Sequence, residues 1–271
     1  MKISVIISTY NSPQWLPNVL TGYSCQDYED FEIVVADDGS TPLTAEVIER
    51  FIENTNLILK HVRLADNETQ KCAILNKAID VSEGDYLIFT DGDCVPHHRF
   101  VSDHAACSEF GRYICGGYCK MPEATSKAVT HDVIRSGQIF QPKWLWNNGF
   151  GLQQKWPKVL ALHTGLAVTL DRIAFTRKIF SSSNSSCFRG DALRVNGFDE
   201  RIGSGCDGQE FGYRLENAGI FPIGKEYSIL CMLLDHKERN VDQELEVSNQ
   251  EIMNETRSRK LTYTNHGIVH G

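Results

Sequence analysis

Tyr86-Leu87-Ile88-Phe89-Thr90-Asp91-Gly92-Asp93 decides how the rest of the chain is read. Four apolar residues form a short strand of the kind that is buried on both faces, and it runs straight into two carboxylates with one glycine between them. A hard divalent cation such as Mg²⁺ or Mn²⁺ takes oxygen ligands, usually one or two carboxylates plus substrate phosphates and waters, and such a strand end suits it. An Asp-Gly-Asp tripeptide is equally the composition of a solvated turn. The neighbouring segments decide between these readings.

Upstream, the same punctuation recurs. Ile3 to Ser8 is a β-branched run closed by Thr9-Tyr10-Asn11, and Ser12-Pro13 then reads as a cap and first residue of a helix carrying Trp15, Leu16, Val19 and Leu20 at helical spacing. Phe31 to Ala36 is a second strand, Asp37-Asp38-Gly39-Ser40 its terminal loop, and Leu43 to Ile52 a helix with Val47, Ile48 and Phe51 on one side. A third unit runs from Leu57 through Leu64 to a helix over Thr69 to Val81. Near-continuous apolar strands alternating with amphipathic helices predict an α/β fold, a Rossmann-like, mostly parallel sheet with helices on both faces. In such sheets ligands bind outside the carboxyl ends of the strands, where Thr9-Tyr10-Asn11, Asp37-Asp38-Gly39 and Asp91-Gly92-Asp93 would meet.

Downstream, Pro122 to Arg172 holds Trp144, Trp146 and Trp156 among Asn, Gly, Gln and Lys with weak periodicity, which predicts an irregular insert. Its tryptophans either pack as a surface loop or stack on sugar rings. From Ser181 regularity returns: a polar strand Ser181 to Phe188, a short helix through Asp191-Ala192-Leu193, and a helix from about Gln209 to Ala218. Beyond Asn240 a polar, Glu-, Asn- and Arg-rich stretch predicts a helical tail with a loose end.

Composition narrows the function classes. A chain of 271 residues suits one large domain, divided as 1–240, with a first half to 120 and a second from 121, plus a tail over 241–271. Its net charge of −8 argues against nucleic acid as partner. The longest apolar runs, Ile3 to Ile7 and Ile229 to Leu234, fall far short of the ~18 residues a bilayer helix needs, and Met1-Lys2 leads into a strand rather than a signal peptide, so a cytoplasmic setting is expected. Nine cysteines, an odd number without C-x-x-C spacing, read as reduced thiols. Cys115 and Cys119 lack a second half-site for zinc. The late basic residues Arg257, Arg259 and Lys260 read as a solvated helix face.

Ile3-Ser4-Val5-Ile6-Ile7-Ser8-Thr9-Tyr10-Asn11, Val34-Val35-Ala36-Asp37-Asp38-Gly39-Ser40 and Thr90-Asp91-Gly92-Asp93 resemble family 2 glycosyltransferases of the GT-A fold. Asn184-Ser185-Ser186-Cys187-Phe188-Arg189, Gly197-Phe198-Asp199-Glu200 and Glu210-Phe211-Gly212-Tyr213-Arg214-Leu215 are similar to the carboxyl half of the bacterial, galactosyltransferase-like members. The resemblance covers about residues 1–120 and 180–237. It implies an inverting, metal-dependent transfer of a sugar from a nucleotide-diphosphate donor, UDP by preference because Asp38 would accept the uracil imide proton, to an acceptor hydroxyl. The implied acceptor is a glycan or lipid-linked saccharide in surface-polysaccharide synthesis, at the cytoplasmic face of the membrane. Thr9, Tyr10, Asn11 and Asp38 stand where the family contacts uridine. Lys71 either contacts base or phosphate or is simply solvated, and Trp144 lies in the stretch expected to shape the acceptor site. Asp93 would hold Mn²⁺ or Mg²⁺ directly, with Asp91 reaching the ribose or the metal through water. His236 lies where relatives place a further ligand, and is otherwise a surface histidine.

At the catalytic base the chain departs from its relatives. They carry an acidic pair before the apolar-x-x-Arg-Leu stretch, whereas here Cys206-Asp207-Gly208-Gln209-Glu210 puts glycine at the expected base position. Asp207 reaches the acceptor if the loop shifts by one residue, and Glu210 reaches it from the first helical turn, where it would also suit the helix dipole. The glycine leaves a sugar-nucleotide-binding protein without transfer activity as an alternative. A nucleotidyltransferase would carry a glycine- and arginine-rich loop after the first strand, and Ser8-Thr9-Tyr10-Asn11-Ser12 does not.

Overall fold

In a computed structural model, which describes residues 1–64, 70–152, 154–174, 178–203, 206–235 and 243–269, the chain forms one eight-stranded mixed sheet. Its strands are β1 (Ile3–Thr9), β2 (Phe31–Asp37), β3 (Ile58–Arg63), β4 (Tyr86–Asp91), β5 (Cys94–Pro96), β6 (Arg112–Lys120), β7 (Asn184–Phe188) and β8 (Phe221–Leu233), in the order β3-β2-β1-β4-β7-β6-β8-β5. The first four are parallel, as their apolar runs predict. Beyond β4 the sheet is mixed: β7 runs antiparallel to both β4 and β6, β8 parallel to β6, and β5 antiparallel to β8.

Period-two alternation inside the apolar runs builds two cores, one on each face. Ile3, Val5 and Ile7 of β1, Ile33 and Val35 of β2, and Tyr86 and Ile88 of β4 face one core. Helices α1 (Leu16–Tyr23), α2 (Pro42–Asn54) and α4 (Phe100–Cys107) cover it. Ile6, Val34, Leu87 and Phe89 face the other, under α3 (Lys71–Val81), α10 (Arg189–Arg194) and α11 (Asp207–Asn217). The α1 helix starts later than Ser12-Pro13 suggests. Ser12 instead supplies the carbonyl that Trp15 and Leu16 N–H bond in a preceding turn, and Pro17 sits in the first helical turn, where its missing N–H costs nothing.

Two expectations are corrected. The segment from 122 to 172 is not irregular: it folds as α5 (Glu123–Lys127), α6 (His131–Arg135), α7 (Pro142–Asn147), α8 (Trp156–Thr164) and α9 (Ala167–Ile173), with a 3₁₀ turn at Gln138–Phe140. Helices of about one to two and a half turns show no sustained period, yet Ile134, Phe140, Leu145, Phe150 and Val159 all enter the first core. Nor is the chain end loose over its described part. After α12 (Gln243–Ser258) packs on α11, the Asn196 amide bonds the Thr264 and Val269 carbonyls (both 2.8 Å), the Thr264 hydroxyl donates to Asp199 (2.6 Å), and Ile268 joins the second core.

The polar strand β7 survives in the middle of the sheet because its side chains are paired. His104 of α4, fully buried, bonds Ser186 Oγ through Nδ1 (2.7 Å) and Asn184 Oδ1 through Nε2 (3.1 Å), and Ser186 also meets the Tyr86 hydroxyl (2.9 Å).

Candidate active site

Register brings the polar strand ends together. Within the parallel block Thr9 lies opposite Asp37, and Ser8 lies opposite Asp91, so the ends of β2, β1 and β4 are consecutive along one edge. The Gly92 N–H donates to the Ser8 carbonyl (2.8 Å). A Cβ on Gly92 would lie 2.8 Å from Thr9 Oγ1, so only glycine lets the Asp91-Gly92-Asp93 turn fold against the end of β1. Thr9 Oγ1 itself is buried without a hydrogen-bond partner.

The two acids at the end of β2, Asp37 and Asp38, divide their work. Asp37 is fully buried, accepts from Ser40 N–H (2.8 Å) and bonds His61 Nε2 (3.0 Å). Burial pushes its pKa up, but the bonds to His61 and Ser40 outweigh that and hold the carboxyl below its ordinary range. Asp38 accepts the Gln70 N–H through Oδ1 (2.8 Å), which ties the start of α3 to the end of β2. Asn11, at φ 48°, braces the two loops: its N–H donates to Ser40 Oγ (2.9 Å) and its Oδ1 accepts from Thr41 N–H (2.8 Å). Tyr10 beside it is exposed.

Lys71, the first residue of α3, is not simply solvated. Its ammonium donates to Ser182 Oγ (2.9 Å) and Asp91 Oδ1 (3.4 Å) and lies 3.7 Å from Asp207 Oδ2. Burial lowers its pKa, but the Asp207 and Asp91 carboxylates raise it by more, so the ammonium is held charged beyond the ordinary lysine range. Ser183 donates to the other oxygen of Asp91. Ser182 and Ser183 escaped the sequence reading. Their signal is the serine run just ahead of β7, which pairing with β4 places beside Asp91.

Asp207 and Glu210 separate cleanly. Asp207 opens α11, is 5 % exposed, and has an Oδ2 without a hydrogen-bond partner that faces the Lys71 ammonium. Glu210 is turned into the protein. Both of its oxygens accept from Arg214 (2.8, 3.1 and 2.7 Å), Oε1 also from the Thr256 hydroxyl (2.8 Å), and both Glu210 and Arg214 are 1 % exposed. The glycine between them has a steric reason. A Cβ on Gly208 would lie 2.7 Å from the Phe180 carbonyl and 3.0 Å from Ser182 N, so α11 approaches the turn that carries Ser182 only with glycine there.

Asp91, Asp93 and Cys94 bring one potential ligand atom each within 4.8 Å of one another. A hydrogen bond with Cys231 and burial push the Cys94 thiol's pKa well up, so the carboxylates are the donors suited to a hard cation. The Asp93 carbonyl accepts the Leu234 N–H (2.9 Å), which brings the end of β8 to this turn. His236, two residues on, lies outside the described residues. Trp144 is half-buried against the first core, whereas Trp146 stands 58 % exposed, 6.2 Å from the Trp156 ring. Of the two, Trp146 is the more exposed.

An open α/β sheet thus carries an acidic turn, a half-buried lysine and a helix-opening carboxylate at one strand edge, and comparison with known proteins gives this arrangement a family. Residues 4–173 match the model of glycosyl transferase family 2, and the chain belongs to that family. It is 34 % identical over 108 residues to the poly(ribitol-phosphate) beta-N-acetylglucosaminyltransferase TarS of Staphylococcus aureus, covering 39 % of this chain and 18 % of that protein. It is 25 % identical over 226 residues to the chondroitin synthase of Escherichia coli, covering 81 % and 33 %. The chain thus spans a third or less of the length of these curated relatives. Among solved structures, S. aureus TarS 1–349 in complex with UDP-GlcNAc superposes with TM-score 0.63 at 18 % identity, covering 96 % of this chain and 69 % of that one. The mannosyltransferase PcManGT from Pyrobaculum calidifontis, in complex with GDP-Man and Mn²⁺, gives 0.58 at 19 %, covering 85 % and 56 %. These structural likenesses establish the GT-A-type fold.

Proposed function

We propose that the chain is an inverting, metal-dependent glycosyltransferase that moves a sugar from a UDP-sugar to an acceptor hydroxyl on a glycan or lipid-linked saccharide during surface-polysaccharide assembly. The observation that carries this is the meeting of Lys71 with Asp91 and Asp207 at the carboxyl ends of β1, β2 and β4.

Thr9, Tyr10 and Asp38 line the donor's base and ribose side, with Asn11 bracing their loops, and Lys71 meets the diphosphate as a fixed cation. Asp93 and Asp91 would hold Mn²⁺ or Mg²⁺, whose charge would stabilise the departing diphosphate. Asp207 is the base that takes the proton from the acceptor hydroxyl. It is the acid of α11 that faces Lys71, while Glu210 holds Arg214 and keeps the helix in place. Trp144 is the tryptophan of this stretch that would meet the acceptor saccharide.

The test is a sugar-nucleotide panel assayed for hydrolysis and transfer with Mn²⁺ and after chelation. UDP-sugar turnover that is lost on chelation and restored by Mn²⁺ supports the reading. Tight binding of the nucleotide sugar with no turnover for any donor would instead make this a binding protein.

A further inference from the structure

Charge is distributed unevenly along the chain. Residues 138–180 carry six Lys or Arg and one Asp, whereas the whole chain has 27 and 35, so this stretch is +5 and the remainder −13. The structure sharpens the imbalance. Lys158 is turned inward to Glu226 (3.0 Å), and Asp171 is buried, accepting from Tyr227 N–H (2.8 Å) and the Ser228 hydroxyl. What faces outward among the described residues of this stretch is Lys143, Lys155, Arg172 and Lys178, with no carboxylate among them.

Large apolar side chains stand among these cations. Trp146 (58 % exposed), Leu152 (81 %), Leu160 (47 %), Leu166 (54 %), Val168 (49 %) and Ile173 (60 %) are all turned to solvent. Most lie on α8, α9 and the link between them, two helices that pack against each other and against β8. Such a face is costly in water and is rarely kept without a partner.

We propose that this face docks the protein onto an anionic lipid bilayer. Lys and Arg near such a surface are drawn to its headgroups, while Trp, Leu, Val and Ile enter the headgroup and acyl boundary, and the combination is what an interfacial helix pair offers. The acidic remainder is repelled, which gives the molecule one orientation. A soluble polyanion would use the cations but leave the apolar side chains wet. A second copy of the chain would set one positive face against another.

The experiment is vesicle co-sedimentation of the full chain without donor, so its outcome is independent of the transferase reading. Vesicles of phosphatidylcholine containing about one third phosphatidylglycerol should bind the protein, and pure phosphatidylcholine should bind it far less. Each cation removed should cost on the order of fivefold in affinity, so Lys143→Glu with Lys178→Glu should lose well over tenfold. Val168→Ser with Ile173→Ser, which removes apolar surface without adding charge, should lose binding comparably while keeping the thermal transition of the parent chain, since both residues are exposed. Arg50→Glu with Lys127→Glu, an equal charge change elsewhere on the exposed surface, should have little effect. The proposal is overturned if both vesicle types bind equally, or if the control pair weakens binding as much as the Lys143 and Lys178 pair. It is equally overturned if the apolar pair changes nothing, as for a soluble polyanion site, or if that pair dissolves a dimer seen by light scattering while no vesicle binding is found.

Discussion

Replacing Glu210 by Gln tests whether this acid is a structural partner or the catalytic base. The substitution keeps the shape of the side chain and removes its charge. Arg214, 1 % exposed, then loses its counter-charge and one of the two oxygens that accept its N–H groups, and keeps the Val195 carbonyl (2.6 Å) and the single amide oxygen. The Gln amide also presents an N–H₂ group in a pocket that Arg214 and the Thr256 hydroxyl fill with donors. Breaking a buried pair by removing one partner costs about 3–5 kcal/mol, because an uncompensated charge stays buried. For a chain of this size that is a fall in melting temperature on the order of 10 °C. Urea unfolding followed by circular dichroism, beside transfer rates measured well below the transition, separates the two roles. The reasoning is refuted if Glu210→Gln unfolds within about 1 kcal/mol of the parent while its turnover collapses.

Asp207→Asn should do the opposite, lowering turnover by about 10²- to 10⁴-fold while nucleotide binding and the unfolding midpoint stay near the parent's, as calorimetry and melts will show. Gly208→Ala should cost about 1–3 kcal/mol, because its Cβ would lie 2.7 Å from the Phe180 carbonyl and neither backbone can retreat freely; a urea midpoint unchanged from the parent would contradict the close approach. His104 is buried neutral, with burial taking its pKa down to about 3 from the ordinary 6.5. The unfolded chain therefore binds a proton that the folded one refuses, so this contribution to stability is complete above pH 6.5 and falls by about 1.4 kcal/mol per pH unit as pH drops toward 3. Stability measured at pH 7 and pH 5 should differ by less in His104→Gln than in the parent.

The strands of the parallel block were legible because their information is local. Ile3 to Ser8, Phe31 to Ala36 and Tyr86 to Phe89 each carry a continuous apolar run closed by a polar loop, and parallel packing under helices is the arrangement that buries such runs on both faces. The acids at their ends could be named on the same grounds. The short helices between 122 and 172 could not. They run from about one turn to two and a half, too short to display a sustained period, and α6, α7 and α8 are stabilised by the core they enter rather than by their own propensity. Glu210 was ambiguous for a related reason. Only the fold shows that Arg214 stands one turn further along α11 with its guanidinium turned inward, and that α12 brings Thr256 from 46 residues away to the same carboxylate.

From the sequence alone came the α/β class, the parallel block, and the identity of the residues at its carboxyl edge, because strand period and turn chemistry act over a few neighbouring residues. Tertiary structure decided which of those residues meet: that Lys71 joins Asp91 to Asp207, that Ser182 and Ser183 enter the cluster from the turn ahead of β7, and that glycine at 208 marks a close approach of backbones. Those contacts join positions about 20 to 136 residues apart. They exist only because register and sheet order place them side by side, and nothing in a local window encodes that distance.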